Sequence, residues 1–214
     1  MTSVFPRTIA AAVLAVVVQA SPSAQTNAAA QGTPPAEPKA RPDLVTQPYN
    51  QADVDFMSGM IPHHAQAVAM AGMAPTHGAS PAMRILCERQ LVSQRDEIEM
   101  MRNWLRDRGK PVPAANATRH RMVMNGMEHD MLMPGMLSDE EMAQLDKARG
   151  PEWDKLFLKF MIKHHEGALK MVEDLFATYG AAQGDDMYKF ASDVQADQTA
   201  EIERMQKMLA GGER

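Results

Sequence analysis

The chain has 214 residues, a net charge of −5 and one cysteine. Its length suits one domain or two small ones. The acidic balance, with no basic cluster, argues against a nucleic-acid partner, and a single Cys rules out a disulfide framework. Methionine is the outlying number: 20 Met outnumber 13 Leu, although Leu is normally among the commonest residues.

Residues 1–20 read as a secretory signal: Arg7 supplies the positive start, Ile9 to Val18 the apolar run, and Val18-Gln19-Ala20 the small residues for cleavage. Cleavage after Ala24 and an uncleaved anchor are the alternatives. The apolar run is too short to span a bilayer as a mature helix. The mature protein is expected to be periplasmic or secreted, with no membrane contact after signal removal. Residues 21–50 are rich in Ala, Pro, Gln, Ser and Thr; Pro34, Pro35, Pro38, Pro42 and Pro48 break any helix, so a disordered tether is expected. The folded part is then 51–210, large enough to bury about 70% of its unfolded surface without disulfides.

Asn50 can cap a first helix running to about Ala74. It contains Met60-Ile61-Pro62-His63-His64-Ala65-Gln66-Ala67-Val68-Ala69-Met70. Residues three or four apart share a helix face, so Met60, His63, Ala67 and Met70 form one stripe with His64 on its edge. At least one imidazole therefore turns toward the core, where without a partner it costs roughly 1–3 kcal/mol. Pro62 inside the helix removes a backbone hydrogen bond, a strain that hints at function.

Ser80 and Pro81 open a second helix that Gly109 ends. Cys87 lies on its stripe Cys87, Leu91, Gln94, Ile98, Met101, Leu105, as a small buried hydrophobe or, alternatively, a ligand or reactive thiol. The linker 110–150 holds His120, Met122, Met124, Met127, His129, Met131, Met133 and Met136. Asn125, Gly126, Pro134 and Gly135 interrupt any helical stripe there. The segment reads either as metal-binding, through Met127, His129, Met131, Met133 and Met136, or as a Met-rich lid on the bundle. Ser138 and Glu141 form a capping box for a short helix.

Pro151 opens the third long helix, which ends at Gly180 and repeats the first: Met161-Ile162-Lys163-His164-His165-Glu166-Gly167-Ala168-Leu169-Lys170-Met171. Both copies read Met-Ile-x-His-His-x-x-Ala-x-x-Met. The fourth helix, about Asp185 to Leu209, carries Glu201-Ile202-x-x-Met205, matching Glu97-Ile98-x-x-Met101 in the second. No convincing strand pattern is recognised, so the chain reads as all-α. The expected fold is a four-helix bundle of ferritin-like type, built from two repeated hairpins (about 51–109 and 151–210) with a long Met-rich linker and a short extra helix.

Imidazole and thioether together suit copper: thioethers select Cu(I), and imidazole also accepts Cu(II) and Zn(II). Structural zinc sites want Cys and His in fours. A carboxylate di-iron centre wants Glu-x-x-His on two helices, and the chain has none. The candidate ligands are His63, His64, His164 and His165 with Met60 and Met161, besides the linker residues. Glu97 and Glu201 are either hydrogen-bond acceptors that orient the imidazoles or ordinary solvent-facing carboxylates.

The duplicated His-His segments, the Glu-Ile-x-x-Met helices and Met133-Pro134-Gly135-Met136 before Ser138-Asp139-Glu140-Glu141 resemble family 305 of the domains of unknown function, over about 51–210. The resemblance implies an exported ferritin-like bundle linked to copper binding and tolerance, with His63, His64, His164 and His165 as signature positions. The leading expectation is a non-catalytic copper buffer or carrier, with Cu(I) favoured over Cu(II) and a copper-handling protein as exchange partner. A ferritin-like redox metalloenzyme and a metal-free helical interaction module are the alternatives.

Overall fold

The computed structural model describes residues 47–124 and 127–211, with the backbone alone at 122–124 and 128. The signal reading, and the tether reading up to residue 46, fall outside the described residues. Local chemistry sets the helices. Asn50 caps α1 (Gln51–Ala71) in a reciprocal capping box with Asp53. Ser80 caps α2 (Pro81–Asp107), whose proline takes the first turn. The Ser138–Glu141 box opens α3 (Asp139–Lys147). Pro151 begins α4 (Pro151–Ala177), and α5 spans Asp185–Leu209. α1 runs unbroken through Pro62 and stops at Ala71, three residues before the expected end.

The described residues are mainly helical, as expected, and sheet is added only by the linker. It forms an antiparallel hairpin of β1 (His120–Met124) and β2 (Met127–Met131), pairing His120 with Met131, Met122 with His129 and Met124 with Met127. Asn125-Gly126 between two alternating runs is a strong hairpin signal. The strand signal is weak because the alternation sets Met and His against Arg121, Val123, Glu128 and Asp130, and Met is not among the residues enriched in strands.

α1 packs along α2, α4 along α5, and α1 also against α4. Two apolar clusters fill the bundle. One joins the first half of α1 (Phe56, Met57, Met60) to Ile98, Met101, Val172, Leu175 and Val194. The other joins the end of α1 (Ala67, Met70) to Met83, Leu86, Cys87, Trp153, Phe157, Met161 and Met205. The halves of each helix thus pack at opposite ends of the bundle, and what separates the clusters is polar. His77 ties the linker to the bundle end: its Nε2 lies 3.0 Å from the Asp146 carbonyl, and its own carbonyl accepts from Gly150 N at 2.8 Å.

Candidate metal centre

The layer between the apolar clusters holds His63, His64 and Gln66 from α1, Gln90, Gln94 and Glu97 from α2, His164 and His165 from α4, and Gln198 from α5, all buried. Glu201 lines it as a part-buried neighbour. The repeat makes the arrangement two-fold. His64 Nε2 faces Glu97 Oε2 at 2.5 Å, and His165 Nε2 faces Glu201 Oε2 at 2.5 Å. Between these pairs His63 meets His164, with ring centroids 3.8 Å apart. The expected approach of the two His pairs through the core is therefore found, and both glutamates are engaged by imidazole. Sequence reasoning missed the glutamines, although Gln94-x-x-Glu97 and Gln198-x-x-Glu201 sit at matching places in the repeat.

The imidazole hydrogen bonds define the proton positions. His63 Nε2 lies 3.0 Å from the Pro134 carbonyl, which can only accept. His64 and His165 likewise direct Nε2 at carboxylates. Nε2 is thus the donating nitrogen in each of these three rings, and Nδ1 is turned away from the acceptor. The Nδ1 atoms of His63, His64 and His165, and both ring nitrogens of His164, are buried without a hydrogen-bond partner. Burial holds His63 and His164 well below the ordinary imidazole pKa, and neighbouring imidazoles push the same way; for His63 the hydrogen bond to the Pro134 carbonyl opposes this without reversing it. For Glu201, burial acts to raise the pKa, but the His165 hydrogen bond and charge, together with Gln90, hold it below the usual range. Neutral imidazoles oriented by oxygen acceptors are the ligand-competent form.

The linker closes one side of this layer. Pro134 and Gly135 cross α4 at Gly167, where a Cβ would lie 2.0 Å from the Pro134 oxygen. Gly135 has φ +76, open to glycine, and a Cβ on it would lie 2.6 Å from the Lys163 carbonyl. Gln66 fixes the next residues by a reciprocal pair: Nε2 donates to Leu137 O at 3.0 Å, and Leu137 N donates to Oε1 at 2.7 Å. This strap brings the Met133 side chain against Gly59, one turn before His63. Met136 is buried, and its sulfur accepts from Met133 N at 3.2 Å. Met60 and Met161, fully buried, precede His63 and His164 by one turn. Met127, His129 and Met131 are not drawn in; they are exposed on the hairpin. Cys87 is buried in an apolar cluster, its thiol pushed up to about 12, mainly by burial, with Asp154 and Glu88 adding to it.

Among the described residues, no three His, Cys, Asp or Glu side chains converge as a metal-ligand set. A zinc cage or a carboxylate-bridged di-metal centre is thus not assembled there. Residues 53–209, which include this layer, match the family model described as a domain of unknown function (DUF305). The chain belongs to the DUF305 family. Among solved structures, a DUF305 protein from Streptomyces coelicolor is 27% identical with a TM-score of 0.63, covering 75% of this chain and 93% of that one. A DUF305 fragment from Deinococcus radiodurans is 25% identical with a TM-score of 0.62, covering 76% and 98%. CopM in its Cu(I)-bound form is 27% identical with a TM-score of 0.56, covering 74% and 96%; it has also been solved with Cu(II) and with silver. No curated protein matches the chain.

Proposed function

We propose that this DUF305 protein binds copper as Cu(I) in the middle of its bundle and acts, without catalytic turnover, as an exported copper buffer or carrier. The observation that carries the reading is the set of unpartnered ring nitrogens around the His63–His164 contact. Each buried polar atom left without a partner costs about 1–3 kcal/mol, and a soft metal bound there would satisfy them. We assign Met60, Met161 and Met133 as the thioethers of the Cu(I) shell, on their burial one turn before His63 and His164 and on the contact of Met133 with Gly59. Glu97 and Glu201 orient His64 and His165 from behind. The metal-bound forms of CopM support copper as the cargo. Export is supported by the Arg7-led apolar run and by the Streptomyces coelicolor relative, described as a candidate secreted protein.

The test is an anaerobic Cu(I) titration against a competing chromophoric chelator, set beside Zn(II). Wild type should prefer Cu(I), and His63→Ala/His164→Ala should lose the tightest equivalent while keeping its helix content. Undiminished affinity in that variant would make the His pairs structural and favour the interaction-module reading.

A further inference from the structure

The hairpin carries a feature that the bundle site does not use. In an antiparallel pair, directly opposed residues and their i+2 neighbours lie on one face. The register His120–Met131, Met122–His129 and Met124–Met127 therefore collects positions 120, 129, 131 and 127 on one face. Positions 121 and 130 fall on the other, where Arg121 and Asp130 form a 3.5 Å ion pair. Opposed residues have Cβ atoms about 4.5–5.5 Å apart, and next-but-one residues on a strand are about 7 Å apart. His120, Met131 and His129 thus form a triangle with a thioether at its corner, whereas Met127, four residues from Met131, lies about 13 Å farther along the strand.

The β2 side of this face serves no core among the described residues: Met127 is 61% and Met131 41% exposed, and His129 is exposed as well, while His120 opposite them is half-buried. Packing therefore does not explain thioethers at these positions, and a two-stranded hairpin gains little stability from solvent-facing Met. The same side chains do suit a soft cation: two imidazoles and at least one thioether within reach of a single point. Their exposure leaves the point open to exchange with solution or with another protein. The strand also runs directly into the strap, because Met133, against Gly59, is only two residues beyond Met131.

We propose that the His120/His129/Met131 face of the hairpin is a second, solvent-open Cu(I) site, distinct from the bundle site and independent of it. It would hold the ion more weakly and release it faster than the buried site, as suits a point of entry and exit.

The full-length mature chain, metal-free and anaerobic, is titrated with Cu(I), and in parallel with redox-inert Ag(I) while methionine methyl and histidine ring resonances are followed. Wild type should bind one equivalent more than either His120→Ala/His129→Ala or Met131→Leu. Both variants should retain wild-type helix content, since none of the three residues is in either apolar cluster. Ag(I) should shift the Met131 methyl, and it should still do so in His63→Ala/His164→Ala. Unchanged stoichiometry in both hairpin variants, with no methyl shift at Met131, overturns the hairpin site and leaves the bundle reading standing. Loss of the hairpin equivalent with full binding by the His63/His164 variant supports this site and overturns the bundle reading instead.

Discussion

Replacing Gly167 by Ala asks whether the strap over the His layer is as tightly seated as its geometry indicates. In an ordinary helix interior the change would stabilise by about 1 kcal/mol through backbone propensity, raising Tm by roughly 2–4 °C for a chain of this size. Here the new methyl would meet the Pro134 oxygen at 2.0 Å, its carbonyl carbon at 2.4 Å and Gly135 Cα at 2.5 Å. These are backbone atoms and cannot move aside by changing rotamer, so the strap itself must shift. Overpacking of this kind costs about 1–3 kcal/mol. If the strap lifts, it also gives up the His63–Pro134 contact and the two Gln66–Leu137 bonds, each contributing about 0.5–1.5 kcal/mol. The losses exceed the propensity gain, and the expected net effect is about 2 kcal/mol of destabilisation, a fall in Tm of roughly 4–8 °C. Urea and thermal unfolding of the metal-free protein measure it, with exposed Glu166→Ala as the control on the same helix. Cu(I) affinity should fall as well, since His63 loses the acceptor that fixes its proton on Nε2. A Gly167→Ala protein as stable as wild type, or more so, would refute the close-packed strap.

Metal-free protein should lose stability in mild acid. Burial lowers the pKa of His63 and His164 in the folded state, so below the unfolded value of about 6.5 the unfolded chain binds more protons. The stabilisation is complete above that value and is lost as pH falls below it, by up to about 1.4 kcal/mol per pH unit for each ring. Urea midpoints at pH 7.5, 6.5 and 5.5 measure this, and a flat profile would be inconsistent with two buried neutral imidazoles. Glu97→Gln and Glu201→Gln should weaken Cu(I) binding about 10–100-fold with the helices intact, as expected when a group that orients a ligand is altered; wild-type affinity in both would mean that the carboxylates do not orient the site.

The helices were legible because their punctuation is local. Asn50, Ser80-Pro81, Ser138 with Glu141, and Pro151 each act on the turn beside them, and each begins a helix where expected. The repeat likewise implied two equivalent hairpins. Helical spacing alone could not say which imidazole of each pair meets its counterpart, since His63 and His64 both border the apolar stripe. Tertiary docking decides it, directing His64 and His165 to glutamates and bringing His63 onto His164. The strap was illegible for the same reason. Gly167 sits at a mid-helix position where glycine is normally a liability, and only the crossing of Pro134 and Gly135 gives it a purpose. The hairpin was readable in principle from Asn125-Gly126 and the two-residue alternation, but was obscured by methionine.

The cost of the polar layer bears on what it is for. Five ring nitrogens of the four histidines, and the amide oxygens of Gln90, Gln94 and Gln198, are buried there without partners. At about 1–3 kcal/mol each, a few such atoms rival the whole net stability of about 5–15 kcal/mol of a typical domain. An apolar layer of the same volume would make a more stable bundle, just as buried ion pairs are often outdone by hydrophobic replacements. The repeat nevertheless places His, His, Gln and Glu at matching positions in both halves. A ligand that binds only the folded state returns about 4 kcal/mol at a thousand times its Kd, which offsets a part of that deficit. On the proposed copper-binding function, a bundle whose destabilised middle is partly restored by bound metal is coupled to metal concentration by its own folding energy, the property a buffer or carrier requires.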